Sequence, residues 1–186
     1  MIKKLILAGA MLAVISSCKM ENPFLTESKA PFGAPEFDKI KTEHYLPAFE
    51  TAIAEAKAEI DAITSNQEEP TFENTIEAME FSGQTLNKVA GVFYNVMEAH
   101  TSDEKQDIAE EIAPKMTEFS MYVSLNATLF ERVKAVYEKK DSLGLDKDQM
   151  TLLENSYKGF VRGGANLPED KKEEYGTLSE ELSLAT

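Results

Sequence analysis

Only three side chains in this sequence are imidazoles or thiols: His44, His100 and Cys18. Hydrolytic zinc needs two or three neutral imidazoles or thiolates converging on the ion, commonly as H-E-x-x-H across one helical turn. Neither histidine has the other within a turn, and glutamates alone make a poor zinc site. His44 stands at a helix entrance and His100 just past a helix end, so both read as capping or surface hydrogen-bonding groups. Nucleophilic catalysis finds no better footing, because there is no G-x-S-x-G elbow. Asp141 to Asp148 places acids around Gly144 but lacks the ligand order and terminal Glu of a calcium loop. Arg162-Gly163-Gly164 lies at a helix C-terminus, where the dipole disfavours anions, and reads as a cap. Glu110-Glu111 and Glu173-Glu174 are adjacent on helices, so each pair diverges and forms no acid/base dyad. No catalytic and no metal residue is assigned.

Cys18 has a different reading. Lys3 and Lys4 make a basic start, and Leu5 to Ile15 is an apolar run too short to span a bilayer as a mature helix. Ile15-Ser16-Ser17-Cys18 then has the form of a bacterial lipobox, with small residues before a cysteine that is lipidated and becomes the new N-terminus. The only cysteine in the chain stands at that position and has no disulfide partner in cis. Residues 1–17 are expected to be a lipoprotein signal peptide, with Cys18 the lipidation site. Acyl chains there would hold the protein on a membrane, each buried CH₂ adding about 0.8 kcal/mol. The expected location is the bacterial cell envelope, with the membrane as one partner.

These residues must be positioned by helices. The chain has 186 residues, 42% of them apolar, which suits one domain with a real core. The net charge of −14 repels phosphates, so nucleic acid is excluded as a partner class. Residues 18–41 contain Pro23, Pro31, Gly33 and Pro35 and read as an extended tether. Phe24, Leu25, Phe32 and Phe37 imply that part of it docks on the body. Residues 42–186 read as all-α, built of antiparallel helices. The first begins at Tyr45 to Pro47 and carries Leu46, Phe49, Ile53, Ala56, Ile60 and Ile63 on one stripe.

Pro70 to His100 reads as one long helix capped by Thr71, with Phe72, Ile76, Met79, Gly83, Leu86, Ala90, Phe93 and Met97 inward. Gly83 and Ala90 would let a partner helix approach closely. The short connection before it predicts that it runs antiparallel to the first helix. Ser102 caps a third helix, with Ala109, Ile112, Met116, Phe119 and Val123 as its stripe and Pro114 expected to kink or split it. Asn126 caps a fourth ending near Gly144. Asp146 opens a fifth, with Leu153, Tyr157 and Phe160 inward and Gly163-Gly164 as its stop. Pro168 starts a sixth, whose stripe is Tyr175, Leu178, Leu182 and Ala185. It reaches the last residue without a stop signal. Pattern alone leaves two readings of that end open, a piece of a longer chain and a frayed terminal helix. No segment alternates like a strand.

Several stretches carry a family resemblance. They are Asn22-Pro23-Phe24, Pro31-Phe32-Gly33-Ala34-Pro35-Glu36-Phe37-Asp38-Lys39-Ile40, and His44-Tyr45-Leu46-Pro47-Ala48-Phe49. Pro70-Thr71-Phe72-Glu73-Asn74-Thr75-Ile76-Glu77-Ala78-Met79-Glu80 follows, then Ser124-Leu125-Asn126, Leu129-Phe130, Val133-Lys134 and Val136-Tyr137. Leu152-Leu153-Glu154 and Tyr157 to Leu167 complete the series. In this order they resemble the N-terminal region of the thimet-oligopeptidase-like zinc peptidases, in the branch of bacterial peptidyl-dipeptidases and oligopeptidase A. The resemblance implies a helical, two-lobed parent enzyme with a deep channel that admits oligopeptides and releases C-terminal dipeptides. It implies zinc as the parent's cofactor, on an H-E-x-x-H helix far toward the C-terminus whose Glu is general base. None of those residues has a counterpart here, so none is carried over. The chain is then expected to be a non-catalytic channel-wall part of such an enzyme, truncated before the zinc domain and inactive alone. A stand-alone helical envelope lipoprotein that binds peptides or a protein partner without catalysis is the alternative.

Overall fold

The structure is a computed structural model and describes residues 22–185. An extended segment with a 3₁₀ turn at Pro31–Gly33 leads to a second 3₁₀ turn, Thr42–His44. Helix α1, Tyr45–Ser65, follows directly. A π-helical turn, Phe72–Glu77, runs into the short α2, Ala78–Glu80. Then come α3, Gln84–Ala99, and α4, Asp103–Ser124. Helix α5, Ala127–Glu138, is joined through a 3₁₀ turn, Lys140–Ser142, to α6, Lys147–Arg162. Helix α7, Glu169–Ala185, ends the described chain. The described residues contain no strand, and the fold is all-α as the periodicity predicts. The leader and Cys18 lie outside the described residues.

Two apolar cores lie along α1. Its N-terminal half packs Tyr45, Phe49 and Ile53 against Leu86, Val89 and Phe93 of α3 and Ile112 of α4. Its C-terminal half packs Ile60 and Ile63 against Phe72, Ile76, α5 and α6. Full burial of a side chain such as Phe49 or Phe93 contributes about 1.5–3 kcal/mol. Helices α1 and α3 are antiparallel, as expected. The Phe93 ring, late in α3, meets Tyr45 and Phe49 at centroid distances of 4.9 and 5.5 Å. At the other end Gly83, just before α3, lies beside Ala56 and Glu59.

The segment from Pro70 to His100 is not one helix. Thr71 does cap it, with its hydroxyl accepting from the Asn74 N–H at 3.1 Å and the Asn74 side chain accepting from the Thr71 N–H at 2.9 Å. The turn so opened is π-helical, and the helix stops at Phe81-Ser82-Gly83. Gly83 adopts φ +69°, a left-handed conformation open to glycine at little steric cost. The break resets the phase of α3. Leu86, Val89, Val92 and Phe93 are buried, while Ala90 and Met97 only flank the core. Gly83 therefore serves a turn, and a Cβ there would meet only Ala56 Cβ at an ordinary 3.8 Å.

Other local expectations divide in the same way. Helix α4 runs unbroken through Pro114. Lys115, next to that proline, lies 2.5 Å from Glu50 of α1, and Lys57 of α1 lies 2.6 Å from Glu118, so the turn of α4 that follows the proline is tied to α1 by two ion pairs. Ser102 is the N-cap of α4, but its hydroxyl accepts from Lys105 Nζ at 3.4 Å and caps no backbone N–H. Asn126 caps α5 by accepting from the Leu129 N–H at 3.0 Å, but α5 ends at Glu138, short of Gly144. Asp146 and Gln149 form a reciprocal capping box on α6. That helix closes on Gly164, φ +92°, with Ala165 N–H reaching back to Phe160 O at 3.0 Å and Gly164 N–H to Val161 O at 3.4 Å. This is the Schellman arrangement.

Helix α7 departs most from its pattern. It packs on α4 through the side bearing Gly176, where an added Cβ would come within 3.5 Å of Met121 Sδ. Its apolar stripe is centred more than about a third of a turn from Gly176, and Leu178 and Leu182 are 57% and 64% exposed. Gly176 has no side chain to hold the two helices apart at that contact.

Of Phe24, Leu25, Phe32 and Phe37, only Phe24 docks, and Ile40 packs against the same core. Phe24 is 2% exposed and packs on Tyr45 at 5.2 Å between centroids. Asn22 Nδ2 donates to His44 O at 2.8 Å, and Lys88 Nζ donates to the carbonyls of Phe24 and Thr26 at 3.2 and 3.4 Å. Leu25, Phe32 and Phe37 remain exposed.

Candidate functional site

The two histidines are held apart in role. His44 is buried at the entrance to α1, where its Nδ1 accepts from the Lys41 N–H at 3.1 Å. His100 is exposed at the C-terminus of α3, and its carbonyl accepts from Lys105 Nζ at 3.1 Å. Among the described residues no group of three or more His, Cys, Asp or Glu is placed to hold a metal ion. The described side chains therefore offer no ligand set for the zinc that the resemblance implies for the parent enzyme. Of the acids singled out above, Glu111 pairs with Lys115 at 3.2 Å, Glu174 with Lys171 at 2.6 Å, and Asp141 with Lys140 at 2.9 Å.

Two arrangements were not legible as sites in the sequence. The first is centred on Arg132 of α5, which is only 7% exposed. Its Nη1 donates to Asn66 O at 2.8 Å and Glu68 O at 3.3 Å, and its Nη2 donates to Asn74 Oδ1 at 3.0 Å. Asn74 Nδ2 donates in turn to Glu69 O at 3.0 Å, and Lys139 pairs with the Glu69 carboxylate. That ammonium holds the Glu69 carboxyl below the usual carboxylate range, first by its hydrogen bond and then by its charge. One guanidinium thus ties the α1–α2 connection to the cap of the π-turn. The available signal was spacing, since Arg132 falls between Leu129, Val133 and Val136 on the buried face of α5. A cation there must find oxygen acceptors.

The second is a groove between α3, α4 and α6, about 440 Å³ in volume. Met116, Phe119 and Val123 of α4 form one wall, Met79 and Leu86 another, and Phe160 of α6 a third. A smaller hollow of about 170 Å³ shares Met79, Leu86, Phe119 and Val123 and reaches Ile60 of α1. The remaining lining of the groove is Asn87, Ser120, Ser124, Ser156 and Gly159, so among the described residues no ionisable group faces it. A surface of this kind can bind apolar side chains, but it offers no general acid, base or nucleophile of adjusted pKa. It lies along the seam between the two cores, because Phe119 and Leu86 pack on the first and Phe160 on the second.

Elsewhere the perturbed groups are structural. Burial pushes the Tyr45 hydroxyl above the usual phenol range. Tyr122 is pushed up chiefly by its hydrogen bond to the Asp61 carboxylate, which joins α4 to α1. Among the described residues no helix is long and apolar enough to cross a membrane.

Comparison with known proteins places this geometry in context. Residues 49–172 match the family model "Neurolysin/Thimet oligopeptidase, N-terminal domain". The chain is 41% identical over 165 residues to the dipeptidyl carboxypeptidase of Escherichia coli K12, covering 89% of this chain and 24% of that protein. Against the dipeptidyl carboxypeptidase of Salmonella typhimurium identity is 39%, covering 86% of this chain and 24% of the relative. Oligopeptidase A of the same organism is 24% identical, covering 88% and 24%. The chain spans about a quarter of the length of these relatives.

Proposed function

Because the chain belongs to the neurolysin/thimet oligopeptidase N-terminal domain family, we propose that it is a non-catalytic wall of a zinc peptidase that removes C-terminal dipeptides from oligopeptides. The observation that carries this reading is the 41% identity to a dipeptidyl carboxypeptidase over nearly the whole chain. The fold supports it, since the helices bury cores and present a groove that has no ionisable group among the described residues. Zinc chemistry would come from residues outside this chain. The part played by these residues is to build a rigid helical wall, held in shape by Arg132 and by the α1–α4 ion pairs. We further propose that Cys18 is lipidated and places the protein on a membrane of the cell envelope, a reading supported by the basic and apolar leader that ends at that cysteine.

The test is the mass and activity of the native protein in its source cells. Immunoblotting against residues 40–160 should reveal a band several-fold heavier than 20.7 kDa, and its immunoprecipitate should cleave a quenched oligopeptide in a chelator-sensitive way. The isolated chain with added zinc should not. A band at the encoded mass less its leader, with no cleavage, would favour the alternative of a peptide-binding envelope lipoprotein. Metabolic labelling with a fatty acid, lost in Cys18→Ser, tests the anchor.

A further inference from the structure

We infer that the groove between α3, α4 and α6 is the seat of an apolar-faced helix from the polypeptide that follows this region in the four-fold longer relatives. The inference rests on the reading of this chain as the N-terminal part of such a peptidase. Three features select the occupant. First, among the described residues no ionisable one lines the groove, although the chain carries a net charge of −14. A charged ligand would find no counter-ion there, whereas apolar side chains would exchange water for Met79, Leu86, Phe119 and Phe160. Second, the α4 wall is regular. Met116, Phe119 and Val123 follow the three- and four-residue spacing of a helix ridge, the surface into which another helix packs. Two of the walls carry methionine, whose side chain adapts to an incoming surface.

The third feature is the position of the groove. It runs along the seam between the two cores and deepens toward Ile60 of α1. A helix seated there would add a further link between two clusters that α1 and α4 now bridge. The family relatives possess the chain to do this, because the region matched here is 24% of the Escherichia coli enzyme. That leaves roughly three quarters of the polypeptide to supply the covering element.

Thiol labelling tests the assignment. Ser120 and Ser156 are small residues on the groove wall, so Ser120→Cys and Ser156→Cys place probes in it, and Val133→Cys provides a buried control. Each is made in a Cys18→Ser background in two proteins. One is the 186-residue chain. The other is a chimera in which this chain replaces the matching quarter of the Escherichia coli dipeptidyl carboxypeptidase. Maleimide modification is followed site by site by peptide mass spectrometry. Both groove thiols should react readily in the isolated chain and at least tenfold more slowly in a peptidase-active chimera. Equal reaction in the active chimera overturns the proposal. Protection in the isolated chain that grows with its concentration also overturns it, in favour of a second copy. Protection in the chimera that requires added oligopeptide assigns the groove to substrate instead. A chimera in which the Val133→Cys thiol also reacts is unfolded, and this removes the reading of the chain as a peptidase part, and the inference with it.

Discussion

The Glu59 carboxylate accepts a hydrogen bond of 2.6 Å from the backbone N–H of Gly83. This contact joins the C-terminal half of α1 to the left-handed break that separates α2 from α3. It occupies a donor at the N-terminus of α3, where a negative charge also favours the helix dipole. Gly83→Ala should destabilise the protein by about 1–2 kcal/mol, because a Cβ is disfavoured at positive φ. The neighbouring Ala56 leaves room for the methyl group, so the loss should come from the backbone and not from a clash. Urea unfolding of Gly83→Ala beside Gly91→Ala, whose added methyl meets nothing within 4 Å, checks this. Equal losses would show that the left-handed conformation has no special weight.

Arg132 should be intolerant of truncation. Arg132→Ala leaves two backbone carbonyls and the Asn74 side chain without their donor, and should cost about 2–4 kcal/mol. Arg132→Lys should recover only part of that, because an ammonium cannot reproduce the fork that spans Asn66, Glu68 and Asn74. Native-state hydrogen exchange should show the π-turn Phe72–Glu77 opening first. Uniform loss of protection throughout the chain would argue against a local tie.

Tyrosine ionisation reports the α1–α4 contact. Tyr122 has its pKa raised, chiefly by the hydrogen bond to Asp61. A raised pKa means that the folded state favours the neutral phenol. Its contribution to stability is complete below the unfolded tyrosine pKa of about 10 and is lost as pH rises through the higher folded value. Ultraviolet titration should therefore show Tyr122, with Tyr45 and Tyr94, ionising later than free tyrosine. Asp61→Asn should move one phenol back toward its ordinary range without disturbing the others. An unchanged titration curve would mean that this hydrogen bond does not form in solution.

Helix α7 should respond to substitution in the opposite sense to its hydrophobic pattern. Leu178→Gln should change stability by less than about 0.5 kcal/mol, because the side chain is more than half exposed. Gly176→Val should cost about 1–3 kcal/mol by forcing branched carbon against Met121 and separating α7 from α4. Thermal melts of the two variants decide it, and a larger loss for Leu178→Gln would place the apolar stripe inward after all.

Much of this fold is decided by chemistry within a few residues. Thr71 with Asn74, Asn126 with the Leu129 N–H, Asp146 with Gln149, and Gly164 at φ +92° set helix ends through local hydrogen bonds and backbone sterics. These ends are legible in the sequence, as are the all-α class and the antiparallel course of α1 and α3. The family was legible because its short segments occur in order along the chain. The break at Gly83 was not, because a run of three- and four-residue steps looks the same with or without an interruption. Its hydrogen-bond partner, Glu59, comes from another helix. Arg132 was missed for the same reason, as its acceptors lie on a distant connection. The outward stripe of α7 depends on where Gly176 meets Met121, and the groove exists only where three helices fail to close over one another. Local patterns by themselves determine several helix ends, those at Thr71, Asn126, Asp146 and Gly164. Which face of each helix is buried, and which surface is left for another chain, depends on contacts between residues far apart in sequence, and only the tertiary structure supplies those.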